Sequence, residues 1–338
     1  MKNKSSPYKA HNNPVKKALE DASGLRVSLP NKVRFTQQGR LCEIYVDKYA
    51  VCSNLQEDAS AFEGWALVLN AWLGWSVRLA WARPKKTSDE HYQRFLYRVI
   101  RFATAVKWFA VDKDCKKYLA DSKVLDPNGA RRKDAPELLV NVPGSRKEMK
   151  AAKSSGALED FSERDLELMF FNNPSPLLKS IKWSSKAQIL RQTPVGVFKH
   201  RVSSGTRLFP GAGGRVDLGA LDDAKGVALF ELKKPGNVKV GALSEILFYC
   251  HVIRDIQGKG NIFTFDNNKA DVNEERIKNA TGVVGYILAD RLHPLLNKKE
   301  LFAGLNSSFA SRHERFGFIS YSGTADAMKC KAYFHELR

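Results

Sequence analysis

The stretch that decides the fold is RVDLGALDDAKGVALFELKK, residues 215–234. Two apolar runs flank the polar turn DDAKG, which ends in glycine, and this pattern predicts a tight antiparallel hairpin. With the turn centred on Ala224, Asp217 lies opposite Glu231, and their Cβ atoms are roughly 5 Å apart on one face of the sheet. Because strand side chains alternate between faces, Lys233 shares the face of Glu231. The hairpin therefore gathers two carboxylates and an ammonium on one face of an otherwise apolar sheet.

This arrangement of charges indicates a metal site. Two carboxylates at that separation repel each other, and a half-buried strand face would force one of them to bind a proton. A divalent cation removes that cost, and carboxylate oxygens suit a hard ion such as Mg²⁺. Lys233 would then stand beside the metal, where its ammonium can orient an attacking water or offset charge on phosphorus. The pattern therefore favours phosphodiester hydrolysis, with a cross-strand salt bridge on an exposed face as the simpler alternative.

The charge balance points to a polyanionic partner. The chain of 338 residues carries 55 Lys and Arg against 36 Asp and Glu, a formal net charge of +19. Both halves contribute, with 28 basic against 16 acidic residues in 1–150 and 27 against 20 in the remainder. A field of this sign attracts nucleic acids, so we expect one as the partner. A basic protein that is indifferent to nucleic acid is the alternative.

Targeting and membrane signals are not expected. The longest apolar stretch, residues 64–77, is shorter than the ~20 residues that a membrane-spanning helix needs, so no membrane partner is expected. The basic, polar N-terminus lacks the apolar segment of a secretory signal. The five cysteines are scattered and form no C-x-x-C pair, which favours a reducing, cytoplasmic location.

Composition and periodicity divide the chain into four parts. Residues 1–20 are predicted to be a basic disordered tail, and 21–125 an N-terminal α+β domain for DNA or partner binding. Residues 126–156, rich in Pro, Gly, Ser and charge, are predicted to be a linker. The remainder, 157–338, follows an α/β order on a mixed central sheet flanked by helices.

The N-terminal part contains a candidate basic surface. Apolar segments at Ala61–Ala80 and Tyr92–Val111 have the length of helices, and Arg94, Arg98 and Arg101 recur at helical spacing in the second. This basic stripe indicates either a face that follows a phosphate backbone or an ordinary solvated helix surface. The tryptophans of the same part are expected to pack in the core rather than stack on bases.

A family resemblance extends the interpretation of the hairpin. Asp217 followed by Glu231-Leu232-Lys233 matches the D…(D/E)-x-K signature, and residues 156–257 resemble the nuclease domain of the PD-(D/E)xK superfamily, NucS-type endonucleases in particular. The resemblance implies a restriction endonuclease-like core for 157–338, with a separate N-terminal domain. The segments that carry it are, in chain order, SERDLELMFFNNPSPLL (162–178), RQTP (191–194), GGRVDLGALD (213–222), ELKKPG (231–236) and SEILFY (244–249).

The resemblance assigns roles to residues of this chain. It makes Asp217 and Glu231 metal ligands for Mg²⁺ or Mn²⁺, and Lys233 the catalytic lysine. On the helix before the hairpin, Glu167 and Glu163 both qualify as a further acid of the metal site. Glu167 is preferred because it lies closer to the Asn-Pro sequence that ends the helix.

The helix after the hairpin departs from the family at one position. Glu245 stands where a glutamine is usual, which makes it either an added catalytic ligand or the partner of a basic residue such as Arg254. Tyr249, one turn further on, agrees with the family and is expected to contact nucleic acid. The proline that names the superfamily is absent before Asp217, where Val216 stands.

The implied activity is that of a metal-dependent deoxyribonuclease, and of an endonuclease in particular. Nucleases of this kind occur in restriction or defence, in repair and in mobile-element processing. Two alternatives remain open: a catalytically silent nucleic-acid-binding or assembly protein with the same fold, and an RNA nuclease. A homodimer or a protein partner bound through the N-terminal domain is also compatible with the sequence.

Overall fold

The computed structural model describes residues 8–55, 57–141, 156–210, 215–224, 226–237, 239–258, 260–266 and 272–334. The helices in these ranges are α1 Lys9–Ser23, α2 Phe62–Leu73, α3 Glu90–Ala105, α4 Glu163–Asn172, α5 Ser175–Ser180, α6 Gly241–Arg254, α7 Val272–Asn279 and α8 Lys299–Ser308. The strands are β1 Val33–Gln38, β2 Leu41–Val46, β3 Ser76–Trp81, β4 Phe109–Val111, β5 Leu138–Val140, β6 Gln188–Pro194, β7 Val197–Lys199, β8 Arg215–Asp222, β9 Gly226–Leu232, β10 Thr264–Phe265, β11 Val283–Ala289, β12 Glu314–Ser322 and β13 Lys329–Tyr333.

A six-stranded mixed sheet carries the candidate site. Its strand order is β13-β12-β11-β9-β8-β6. β6, β8 and β9 are antiparallel neighbours, whereas β9, β11 and β12 run parallel and β13 is antiparallel at the edge. A parallel neighbour requires a crossover, and α6 lies in the chain between β9 and β11. The mixed α/β class predicted from the sequence is confirmed.

The register of the β8–β9 hairpin is the one predicted from its turn. Leu218 pairs with Phe230 and Asp222 with Gly226, which centres the turn on Ala224. The Asp222 carboxylate accepts the backbone N–H of Ala224 at 2.9 Å, a contact that stabilises the tight turn. The turn and the alternation of apolar residues were therefore sufficient to fix the strand pairing.

The N-terminal part forms a four-stranded sheet in the order β1-β2-β3-β4. β1 and β2 form an antiparallel hairpin. The predicted helix Ala61–Ala80 is shorter, because Gly74 takes a left-handed conformation with φ 66° and the chain continues as β3. Gly has no Cβ to oppose this conformation, which ends many helices.

The prediction of a disordered tail is wrong for residues 9–20. These residues form most of α1, which packs against β1, with Val15 and Leu19 fully buried. The amide of Asn12 donates to Val33 O at 3.0 Å, and its Oδ1 accepts from Phe35 N at 2.8 Å. The basic residues conceal an amphipathic pattern, since Val15 and Leu19 are one helical turn apart. Residues 1–7 lie outside the described part.

The two faces of the six-stranded sheet are both covered. On one face lies an apolar core that runs from α1 through α2, α3 and α6 to α8, and so includes residues of both halves of the chain. On the other face, α4 and α5 cover a second cluster that includes Phe170, Phe230, Tyr286 and Tyr321.

Within the predicted linker, residues 126–156, β5 pairs with β7 and β10. The prediction of a linker is therefore wrong for 138–140, while 142–155 lie outside the described residues.

No helix within the described ranges is long and apolar enough to cross a membrane.

Candidate active site

Asp217 lies at the point where β8 and β9 separate. Their last paired residues are Leu218 and Phe230. One position further, the Asp217 side chain takes the place of a strand bond, because its Oδ2 accepts the backbone N–H of Leu232 at 2.9 Å. This hydrogen bond holds the carboxylate of Asp217 against the strand that carries Glu231.

Lys233 is held by two carboxylates. Its Nζ lies 2.6 Å from Glu231 Oε1 and 2.7 Å from Glu245 Oε2. Its backbone is also fixed, because its N–H donates to Leu288 O at 2.8 Å and its carbonyl accepts from the Tyr321 hydroxyl at 2.7 Å. A lysine restrained at both ends can present its charge at one defined place.

Glu231 has one oxygen that its neighbours leave unpaired. The residue is 4% exposed, and its Oε2 is buried without a hydrogen-bond partner in the described part of the chain. A buried carboxylate oxygen with no donor carries a large desolvation cost. Such an atom is what a cation or a bound water would satisfy.

Burial and mutual repulsion disfavour negative charge in this cluster. Burial raises the pKa of Asp217 to about 7; Lys233 and the Leu232 amide oppose this shift, and Glu167 and Glu163 add to it. Burial also raises the pKa of Glu231 well above its usual range, against the effect of Lys233.

The pKa of Lys233 moves in the opposite sense to what burial alone would cause. Burial disfavours its charge, yet Glu231 and Glu245 together raise the pKa above the usual range for lysine. Lys233 is therefore an ammonium, and its positive charge offsets negative charge on Glu231 and Glu245.

The helix before the hairpin, α4, begins with a capping box. Ser162 caps α4: its Oγ accepts from Asp165 N, and the Asp165 carboxylate returns to the Ser162 N–H. This start places Glu163 in the first turn and Glu167 one turn later, with both on the side near Asp217.

The two candidate acids of α4 have different surroundings. Glu167 Oε1 lies 2.6 Å from Arg191 Nε and accepts from Gln192 Nε2 at 2.9 Å. Glu163 Oε1 is buried and has no hydrogen-bond partner among the described residues. A cavity of about 90 Å³ separates this acid from the cluster on the sheet. Its lining is Glu163, Lys233, Asn237, Lys239, Ala242 and Glu245.

Gln192 has an unusual backbone. Its φ is 55°, in the left-handed region that non-glycine residues avoid, and it interrupts the pairing of β6 with β8. The register is the same on both sides, since Arg191 pairs with Leu218 and Thr193 with Val216, so the interruption lies opposite Asp217. Left-handed backbone at a non-glycine residue costs roughly 1–3 kcal/mol and is concentrated at functional sites. The resemblance places Gln192 among polar residues near the substrate without a catalytic role, and no local pattern predicts this conformation.

The helix after the hairpin contributes Glu245 and Tyr249, both buried. The sequence left two interpretations of Glu245, an added catalytic ligand or the partner of a basic residue such as Arg254. A basic partner is present, but it is Lys233. Arg254 instead donates to the backbone oxygen of Arg312. The prediction that Tyr249 contacts nucleic acid is contradicted by its burial, because a base could not stack on a ring enclosed by the core. Burial, followed by Glu231 and Glu245, raises the pKa of Tyr249 well above its usual range.

Both interpretations of the basic stripe are wrong, because they required an exposed helix face. Arg94, Arg98 and Arg101 are only 3%, 2% and 5% exposed. Arg98 forms a two-pronged ion pair with Glu63, and Arg101 Nε lies 2.9 Å from Asp255 Oδ2. The stripe is a set of buried links between elements rather than a phosphate-binding surface.

Arg94 differs from the other two arginines. Its guanidinium lies 5.9 Å from the ring centre of Phe248 and donates to Ser53 O and His91 Nδ1. Burial, with Arg98 adding, lowers the pKa of Arg94 to about 9, while Tyr249 and Glu245 oppose that shift. The α3 helix of the N-terminal part therefore approaches the candidate site from the side of α6.

The fit of a metal ion rests on the two strand carboxylates. Asp217 and Glu231 offer oxygen donors on adjacent strands, and Glu231 Oε2 has no other partner. In the ranges that the structure covers, no group of three or more His, Cys, Asp or Glu side chains is arranged to hold a metal. The donor chemistry suits a hard cation that keeps several of its waters, as Mg²⁺ does.

Comparison with protein-family models, with curated proteins and with solved structures found no match for this chain.

Proposed function

We propose that this chain is a Mg²⁺- or Mn²⁺-dependent deoxyribonuclease of the PD-(D/E)xK superfamily that cleaves DNA internally. The observation that carries the proposal is the cluster at the open end of the β8–β9 hairpin. There, Lys233 pairs with Glu231, Glu231 keeps one buried oxygen without a partner, and Asp217 is tied to the same strand. A salt bridge on an exposed face, the simpler alternative, does not fit side chains that are buried.

The order of elements supports the family assignment. Helix α4 is followed by the antiparallel strands β6, β8 and β9, then by α6 and the parallel strand β11. The two acids and the lysine lie where β8 and β9 separate, next to the helices on either side of them in the chain. This order is what the resemblance implies for a restriction endonuclease-like core.

The proposed metal ligands are Asp217 and Glu231. The α4 helix supplies a further acid, and the surroundings favour Glu163 over Glu167. Glu163 has an unpaired buried oxygen beside the cavity, whereas Glu167 is occupied by Arg191 and Gln192. When bound, the ion supplies Lewis-acid polarisation of the scissile phosphate and lowers the pKa of a coordinated water.

The side chains around the proposed metal site fix the position of Lys233 and place its positive charge near the reacting phosphate. Lys233 presents a fixed ammonium beside Glu231, where it stabilises negative charge that develops on the phosphoryl oxygens. Glu245 and the Tyr321 hydroxyl hold the two ends of Lys233. Glu167 orients Gln192 and Arg191 at the interrupted edge of β6.

DNA binding is assigned to exposed basic residues, because the buried arginines of α3 are not accessible. Exposed lysines are frequent between β4 and β5. They include Lys113, Lys116, Lys117, Lys123 and Lys133. With the overall charge of +19, binding should weaken steeply as salt is raised.

The test compares Lys233→Ala with Lys234→Ala in the full-length chain. Both remove one lysine, but Lys234 is exposed and has no part in the cluster. Each protein is incubated with duplex, single-stranded, branched and mismatched DNA and with RNA, in Mg²⁺, Mn²⁺ or EDTA. We expect metal-dependent DNA products from wild type and Lys234→Ala, and none from Lys233→Ala, which should still bind DNA. Cleavage by Lys233→Ala at the wild-type rate would refute the assignment.

Two results would favour other functions. A wild-type protein that binds DNA but forms no product with either metal would be a silent nucleic-acid-binding protein. Preferential cleavage of RNA would assign the same site to a ribonuclease, since the metal chemistry acts on either backbone.

A further inference from the structure

The first turn of α6 exchanges hydrogen bonds with α2 and with the short 3-10 turn Asp58–Ser60 that precedes α2. Neither helix has a side-chain cap of its own, because Ala61 and Val240 precede them. Instead, the backbone N–H of Gly64 in α2 donates to Ser244 Oγ of α6 at 3.2 Å. In return, the N–H of Gly241 in α6 donates to Asp58 Oδ1 at 2.9 Å. We call these four residues, Asp58, Gly64, Gly241 and Ser244, the α2–α6 junction.

The chain segments that form the junction approach closely at Gly64. A Cβ atom on Gly64 would lie 2.8 Å from Val240 Cγ1 and 2.9 Å from Val240 O. Side chains cannot occupy that space without moving α6, so the glycine permits the close approach. The negative charge of Asp58 also suits the positive end of the α6 dipole.

The C-terminal end of α6, like its first turn, is held by the N-terminal half of the chain. Asp255, the first residue after α6, accepts from the Tyr97 hydroxyl at 2.6 Å and from Arg101 Nε at 2.9 Å. Both donors belong to α3. Helix α6 is therefore held at its two ends by residues that precede the proposed nuclease core in the sequence.

Glu245 follows Ser244 directly and is the residue of α6 that holds the Lys233 ammonium. We propose that Asp58 and Ser244 are positioning residues of the active site. They hold the first turn of α6, so that residues 58–64 fix the place of Glu245 and, through it, of the Lys233 ammonium. The proposal rests on the nuclease function above, and it makes the N-terminal half part of the catalytic machinery rather than a detachable binding module.

The test uses Asp58→Ala, Asp58→Asn and a matched control, Asp47→Ala, in the full-length chain. Asn keeps an oxygen that can accept from Gly241, whereas Ala does not. Asp47 also accepts backbone amides, from Tyr49 and Ala50 at 2.8 Å each, and both donors lie outside α6. Two quantities are measured: single-turnover DNA cleavage at saturating DNA and Mg²⁺, and hydrogen exchange of the amides of residues 241–254.

We expect Asp58→Ala to lower the cleavage rate about tenfold or more, as a displaced catalytic group does, with unchanged affinity for DNA. Exchange at the start of α6 should become faster. Asp58→Asn should restore both, and Asp47→Ala should alter neither, although it also loses a cap. Ser244→Ala, a smaller change in a buried position, should have the same two effects. It therefore serves as the test if Asp58→Ala fails to fold.

A wild-type cleavage rate and wild-type exchange in Asp58→Ala and Ser244→Ala would overturn the proposal, as would an equal loss of rate in Asp47→Ala. If the wild type cleaves nothing, the nuclease function fails, whereas exchange at 241–254 still decides whether Asp58 holds α6.

Discussion

Lys233 and Glu245 form a buried ion pair, with Nζ and Oε2 2.7 Å apart. Glu245 stands where the resemblance leads one to expect glutamine. Because Glu231 already pairs with the same ammonium, Glu245 acts as a second support that fixes the direction of the lysine.

The first prediction concerns Glu245→Gln and Glu245→Ala. The glutamine amide can still accept from Lys233, so we expect single-turnover cleavage within about tenfold of wild type, or about 1.4 kcal/mol in activation free energy. Alanine removes the support, and we expect a loss of about a hundredfold, the order of effect that a misplaced group causes. Equal rates for the two variants would mean that the hydrogen bond to Lys233 has no role.

A second prediction concerns stabilisation by metal. If Mg²⁺ binds Asp217 and Glu231, it stabilises only the folded state, by about 2.7 kcal/mol at a concentration of 100 Kd. Thermal unfolding of the wild type should therefore shift upwards by a few degrees when Mg²⁺ replaces EDTA. Asp217→Asn should lose this shift, and Lys234→Ala should keep it.

In EDTA, Asp217→Asn should be at least as stable as the wild type. The Asn oxygen can still accept the Leu232 amide, while the repulsion between buried carboxylates is removed. A site that gains stability when its function is removed is a common trade-off in enzymes. A fall of Tm in EDTA would show that Asp217 serves the fold rather than a ligand.

The core of the site was predictable because its signals are local. The DDAKG turn and the period-two alternation fix which residues face each other, and the pairs of β8 and β9 follow that register. The capping box of Ser162 and Asp165 depends likewise on residues only three positions apart. Short-range rules of this kind need no knowledge of the rest of the chain.

Contacts between distant segments could not be predicted in the same way. Arg98 and Glu63 are 35 residues apart, and Arg101 and Asp255 are 154 apart, so the stripe on α3 looked like a solvated or nucleic-acid-binding face. A buried arginine and an exposed one have the same sequence pattern when the partner acid lies on another element. The pairing of Tyr321 with the Lys233 carbonyl is of the same kind.

A third prediction tests the buried network around Asp255. Its carboxylate accepts from Tyr97, Arg101 and Arg312. Asp255→Asn leaves the two arginines without this counter-charge, and removal of one partner of a buried pair costs about 3–5 kcal/mol. Urea denaturation measures the change in the free energy of unfolding.

The matched control for Asp255→Asn is Asp223→Asn. Asp223 pairs with Arg276 but its side chain is 87% exposed, so solvent screens the pair and little change is expected. Similar losses in the two variants would mean that the network at the end of α6 contributes no more than a surface ion pair does.

The last prediction concerns acid stability. Against the effect of burial, Arg101 and Arg312 hold the pKa of Asp255 below its ordinary 3.8, and His251 and Arg312 hold that of Glu314 below 4.5. Because these folded-state values lie below the unfolded ones, the unfolded chain binds protons first as pH falls. Their contribution is therefore complete above the ordinary values and is lost as pH falls through the lowered ones. Urea denaturation of the wild type should show a decline below about pH 4.5, and Asp255→Asn should show a shallower one, since of these two acids only Glu314 then contributes. Parallel declines in the two proteins would locate the acid sensitivity elsewhere in the chain.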